Sequence, residues 1–290
     1  MNKIALSALV AAALTSLVAV GAGGAAATVS GDGGNRIGIV RGDGGAYAKQ
    51  GALGGAFTAE TGSVRQIVLS GNRIGVLKDN GDAYVKEGAL TARWVKLSGD
   101  VKQIALAGNR IGILKDKGDA YVKELGAQWV KESSDVKHLE LSGNRIGVLK
   151  DNGDVYVKEG ALSAQWTKQT TDAVQIDLSG RRVGVLRSNG DAYVKEGALN
   201  AQWSRQSGQV IQLQLSGDRI GVVKGDGTAY VKSGALNAAW TTESNQVIQI
   251  ALSGDRIGVV KGNGDAYVKE GALNAQWTKQ SGYVTELALS

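Results

Sequence analysis

Apolar and polar positions along this chain change over stretches of only four to seven residues, and between Val64 and Lys96 they mark four short segments. Val64-Arg65-Gln66-Ile67-Val68-Leu69 places Ile67 and Leu69 on one face, the two-residue period of a β-strand. Ser70-Gly71-Asn72 turns the chain. Arg73-Ile74-Gly75-Val76-Leu77-Lys78 is apolar almost throughout and predicts a strand buried on both faces. Asp79-Asn80-Gly81-Asp82 follows, and Asn-Gly between two strand patterns signals a hairpin. Ala83-Tyr84-Val85-Lys86 predicts a third strand, Glu87 to Arg93 a loop, and Trp94-Val95-Lys96 opens a fourth. Beyond the first residues no segment sustains a helical period.

This four-strand meander recurs. Arg-Ile/Val-Gly stands at Arg36, Arg73, Arg110, Arg145, Arg182, Arg219 and Arg256, and subtracting neighbours gives spacings of 37, 37, 35, 37, 37 and 37 residues. A fixed period of this size is one supersecondary unit copied head to tail. Repeated meanders close radially as a propeller or stack as an open solenoid. The ends decide between them. Later copies begin with an apolar pair such as Ile104/Leu106, Leu139/Leu141, Ile176/Leu178, Leu213/Leu215 or Ile250/Leu252, whereas the first has Ser30 and Asp32 there. The missing strand stands at the other end, as Val284-Thr285-Glu286-Leu287-Ala288-Leu289-Ser290. Ser290 aligns with Ser70 and Gly34 with Gly71, so the last strand completes the first copy and closes the ring, which leaves no sheet edge free to aggregate. The expectation is an all-β, closed, seven-bladed β-propeller of about 37-residue, four-stranded blades.

Composition narrows the rest. Residues 1–27 carry one charge, Lys3, before an apolar run from Ile4 to Val20 and the small residues Ala25-Ala26-Ala27. This predicts a secretory signal followed by a propeller over 28–290, secreted to the periplasm or outside the cell, with no transmembrane anchor after cleavage. There is no cysteine, which removes disulfides, thiol nucleophiles and Cys-based metal sites, and no proline, which leaves the turns to the 43 glycines with Asn and Asp. The formal charge of +6 comes from Lys and Arg interspersed with acids in every copy. It points to a solvated surface, with anionic envelope polymers as a candidate partner and nucleic acid not expected.

The run Leu-Ser-Gly, then Arg-Ile-Gly-Val-Leu-Lys-Asp-Asn-Gly-Asp-Ala-Tyr-Val-Lys, then a Trp as in Gln202-Trp203, resembles the tectonin and tachylectin group of β-propeller lectins. The resemblance spans about Gly34 to Ser290 and implies sugar binding at the blades. Ile74-Gly75-Val76 stands where tectonins often carry a Trp in the second strand, so no ligand-contact residue carries over directly.

Three features are candidates for binding. Trp94, Trp129, Trp166, Trp203, Trp240 and Trp277, with Phe57 in the first copy, offer faces on which sugars stack, or else fill the gap between blades. The pairs Asn72-Arg73, Asn109-Arg110, Asn144-Arg145, Arg181-Arg182, Asp218-Arg219 and Asp255-Arg256 lie at the a–b turn, on the same end of the ring as Glu87 or Glu196. The Arg fork can hold hydroxyls or acids, or clamp backbone carbonyls, with the preceding residue forming the turn. The c–d loop, such as Glu196 to Gln202 with Asn200, is the third feature. It shortens in the third copy to Glu124-Leu125-Gly126-Ala127-Gln128, which predicts the weakest binding there.

Catalysis has little support. His138 fills a slot held elsewhere by Gln66, Gln103, Gln175, Gln212 and Gln249, and the unrepeated acids Glu140 and Asp177 lie in strands. Asp79-Asn80-Gly81-Asp82 lacks the alternating oxygens and distal Glu of a calcium loop. No cofactor or metal is expected. The leading expectation is a monomeric, secreted, multivalent carbohydrate-binding protein with weak repeated sites summed by avidity on glycans or cell-surface polysaccharide. The alternative is an exported protein-interaction scaffold or an anionic-polymer binder.

Overall fold

The computed structural model describes residues 34–290; the expected signal segment 1–27 lies outside the described residues. The described chain forms seven four-stranded antiparallel sheets, the predicted propeller. Blade 1 comprises 36–61 with 284–289, and blades 2 to 7 comprise 64–98, 101–133, 136–170, 173–207, 210–244 and 247–281. Strands are lettered a to d from the inside outward. The ring closes between the chain ends: Ile37, Gly38 and Ile39 pair with Leu289, Ala288 and Leu287, and Arg36 and Ser290 exchange two backbone bonds of 3.0 Å.

Every apolar cluster straddles two blades. Val68 of blade 2 packs with Ile104, Leu106, Ile111 and Ile113 of blade 3, and the other clusters repeat this arrangement. A fully buried aliphatic side chain contributes about 1.5–3 kcal/mol, so most of the hydrophobic stabilisation holds blades to one another. The glycine of Arg-Ile-Gly has a packing reason. A Cβ on Gly75 would stand 2.8 Å from Ile104 Cδ1, and one on Gly184 would stand 2.8 Å from Leu213 Cδ2.

The inner strands are unpaired edges, and side chains finish them. Gln103 accepts from Leu139 N at 2.9 Å and donates to Leu139 O at 2.6 Å, one blade onward. Gln175 treats Leu213 in the same way, as do Gln212 with Ile250 and Gln249 with Leu287. In blade 1 the slot holds Glu286, whose Oε2 accepts from Ile67 N at 2.8 Å. Gln66, Gln103, His138, Gln212, Gln249 and Glu286 are only 3–7% exposed, and Gln175 is half-buried.

The b–c hairpin differs from a two-residue Asn-Gly turn. Gly81 N donates to Lys78 O at 3.0 Å and Lys78 N to Asp82 O at 2.9 Å, with the left-handed conformation at Gly81 alone (φ 82°). This is a three-residue loop with a glycine bulge.

Candidate functional site

The a–b turns and c–d loops share one face, the rim. Gly88 N donates to Asn72 O at 3.0 Å, and Arg73 pairs with Glu87 across strands b and c. The guanidiniums of the repeated motif lie beneath this rim and reach into the next blade. Nη2 of Arg110, Arg145, Arg182, Arg219 and Arg256 donates to the carbonyls of Gly160, Gly197, Gly234, Gly271 and Gly51 at 2.5–2.6 Å, and Arg36 reaches Gly88 O. Each accepting glycine has φ between 87° and 104°, which turns its carbonyl toward the arginine and is closed to other residues. On their own blades Arg110, Arg145, Arg182 and Arg256 also bridge to Glu124, Glu159, Glu196 and Glu270 at 3.0–3.2 Å. These arginines and Arg73 are at most 7% exposed, and all but Arg73 already spend Nη2 on a glycine carbonyl of the ring.

The tryptophans stand at the blade junctions with one face covered. Lys86, Lys123, Lys158, Lys195, Lys232 and Lys269 place Nζ 4.8–5.0 Å from the ring centroids of Trp94, Trp129, Trp166, Trp203, Trp240 and Trp277. Except for Lys123, these ammoniums also donate to the carbonyl of the loop leucine, as Lys195 does to Leu199 O. The third residue of the preceding strand d completes the junction. Glu60, Glu132 and Glu243 pair there with Lys86, Lys158 and Lys269, and burial pushes these carboxyls above their usual range while the lysines pull them down.

A partner approaching the rim therefore meets the residues above the clamps. Asn109, Asn144, Arg181, Asp218 and Asp255 are exposed, as are Glu87, Glu196 and Asn200, while Asn72 is half-buried. The rim brings the predicted turn and loop residues together on one surface and keeps the predicted arginines below it.

The opposite face carries a feature that the sequence reading passed over. Between blades 3 and 4 a cleft of about 640 Å³ is lined by Ser133, Asp135, Lys150, Asn152, Tyr156 and Trp166. Trp166 thus contributes to the b–c side of the ring instead of standing with Asn144 and Arg145. Lys168 lies 5.8 Å from the Tyr156 centroid and bonds Asp154 at 2.9 Å, holding that exposed carboxyl below its usual range. Tyr and Trp meet at the equivalent junctions of blades 2, 3, 5, 6 and 7. The signal was present in the sequence as Tyr ten residues before each Trp, shortened to eight between Tyr121 and Trp129.

His138 Nε2 lies 2.6 Å from Glu140 Oε1, and Asp177 accepts from Leu215 N at 3.0 Å, all buried among the inner strands. Burial and, after it, the Glu140 charge push Asp177 well above the ordinary carboxylate range. Among the described residues no His, Asp and Glu cluster is arranged to hold a metal ion, and no helix is long and apolar enough to cross a membrane.

No protein-family model and no curated protein matches this chain. Solved structures share the fold at low identity. Prp20p from Saccharomyces cerevisiae, described with its binding to Gsp1p and histones, is 11% identical with a TM-score of 0.60 over 83% of this chain and 82% of that one. Human WBSCR16 is 13% identical with a TM-score of 0.61, over 87% and 94%. YCF48 bound to a D1 peptide is 13% identical with a TM-score of 0.52, over 72% and 78%. The likeness shows the seven-bladed propeller fold and leaves the lectin resemblance resting on the repeat motif alone.

Proposed function

We propose that this chain is an exported, non-catalytic binding ring that docks a protein partner on the rim of a–b turns and c–d loops. One observation carries the reading: six clamps of one kind lie under the rim, while the residue above them that precedes each arginine changes in charge around the ring. The residue before the arginine is Asn35, Asn72, Asn109 and Asn144 on blades 1 to 4, Arg181 on blade 5, and Asp218 and Asp255 on blades 6 and 7. Seven equal small-ligand sites would repeat that residue, whereas one extended partner meets each blade differently. The clamps also fix the loops in advance and lower the ordering cost of association. Prp20p and YCF48, on the same fold, are described with protein or peptide partners. A photo-crosslinking side chain at Asn144 or Asp255, compared with one at Asn152 on the other face, tests the reading. Capture of one defined protein from the rim positions only is expected, and capture from Asn152 alone would overturn it.

The Tyr156–Trp166 cleft favours a second reading, glycan binding between blades, because an aromatic wall beside Asp and Lys suits a sugar's mixed faces. Salt-resistant retention on immobilised glycans, competed by free sugar and lost in Trp166→Ala, is the result that would establish it.

A further inference from the structure

Among the described residues, the junction of blades 2 and 3 is the one whose arginine reaches no glycine carbonyl. At blades 2 and 3 the shortened loop puts Leu125 where the other loops carry the accepting glycine, and Leu125 N donates to Asn109 O at 2.8 Å. Leucine does not take the positive φ that turns the glycine carbonyl toward the clamp, and the left-handed residue moves to Gly126 (φ 77°). Arg73 is consequently left with a 3.4 Å contact from Nη1 to Arg110 O and a buried, unpaired Nη2, whereas Arg145, Arg182, Arg219 and Arg256 pair Nη2 and leave Nη1 without a partner. Lys123 loses its carbonyl in the same deletion and keeps the Trp129 ring, 5.0 Å away.

Strand d withholds a third acceptor. The slot facing this arginine and lysine holds Glu60, Glu132 and Glu243, each paired with its lysine, at three junctions and Gln169, Gln206 and Gln280, whose Oε1 takes no bond, at three others, but Leu97 here. At equivalent junctions the two cations feel each other's charge, Arg145 on Lys195, Arg182 on Lys232 and Arg256 on Lys49. Apart from Glu87, whose charge Arg73 feels, the surface around the Arg73–Lys123 pair is aliphatic: Val95 is 60% exposed and Leu125 45%, and Leu97 packs with Trp129 against the blade 3 core. Blades 1 and 4 to 7 place Thr or Ser at the position of Val95.

We infer that the blade 2–3 junction is a binding site for a carboxylate carried on an aliphatic group. The carboxylate takes the place of the missing glycine carbonyl, leucine carbonyl and strand-d acid, accepting from Arg73 and Lys123. The aliphatic portion covers Val95, Leu97 and Leu125. The site is independent of which face of the ring serves the main partner. It also reverses the expectation that the short loop makes blade 3 the weakest binder.

The test follows the Trp129 indole N–H by NMR in the full chain, with N-acetyl-leucine, N-acetyl-leucinamide and isovalerate as probes. Saturable shifts with a carboxylate, at least tenfold weaker with the amide, are expected. Response to N-acetyl-leucine alone assigns a peptide C-terminus, and equal response to isovalerate assigns a small acid. Leu97→Glu and Leu97→Gln put the repeat's own acceptor back, and each is expected to abolish the response and to raise the melting temperature. Equal binding of acid and amide, no binding of either acid, or full binding retained in both Leu97 variants with unchanged melting would overturn the inference.

Discussion

Single atoms set the tolerance of this ring. Gly184 has no room for a methyl group, since its Cβ would meet Leu213 Cδ2 at 2.8 Å and Leu215 Cδ1 at 3.0 Å on the next blade. Gly184→Ala is expected to lower stability by roughly 1–3 kcal/mol, measured by urea unfolding. Glu286 gives a pH signature of the opposite kind to a surface carboxylate. Burial pushes it well above the ordinary glutamate range, against the pull of the Ile67 N–H. The folded chain therefore holds a proton that the unfolded chain releases near pH 4.3. Its stabilising contribution is full below that pH and is lost as pH rises toward the folded value. Glu286→Gln mimics the amides of the other blades and should remove this loss, leaving the variant more stable than the parent at pH 8 and closer to it at pH 4 in paired thermal melts. The exposed Asp82, Asp119, Asp154 and Asp265, held low by their lysines, act in the other sense and are screened by solvent.

At the scale of strands and loops, the clamp joins a strand b to the neighbouring c–d loop. Arg182→Met removes the 2.5 Å bond to Gly234 O and should cost about 1.5–3 kcal/mol. Amide exchange should quicken selectively in the loop before Trp240, and uniform acceleration across the ring would argue against a local clamp. The elements themselves were legible in the sequence because the copies align: Ile67 and Leu69 marked strand a, Gly81 the hairpin and Val284 to Ser290 the closing strand. The destinations of polar side chains were not. Arg182 aligned with its equivalents whether it served a ligand or a carbonyl 52 residues on, because the alignment does not say which blade a fork points to. The value of Leu97 was hidden for the same reason. One leucine among glutamates and glutamines looks like drift until its slot is known to face two cations. Trp166 follows the c–d loop in sequence, yet its ring lines the cleft beside Tyr156, which the order of residues along the chain does not reveal.

For the molecule as a whole, closure depends on seven residues. Deleting 284–290 removes strand a of blade 1 and exposes Ile37 and Ile39, both fully buried in the intact ring. The expected result is loss of the single cooperative transition in calorimetry together with concentration-dependent oligomers in sedimentation, as the open edge finds another chain. A monomeric, cooperatively melting product would show that six complete blades suffice. The same join has a consequence in time. Ile39 and Leu287 meet across the ring although they are made at opposite ends of the described chain, and every other strand is synthesised before Leu287 appears. A chain still being made is therefore an open arc with a bare first blade, and its slowest contact is also its last to become available. Any factor that holds such arcs apart until synthesis ends governs how much of this protein is recovered as rings.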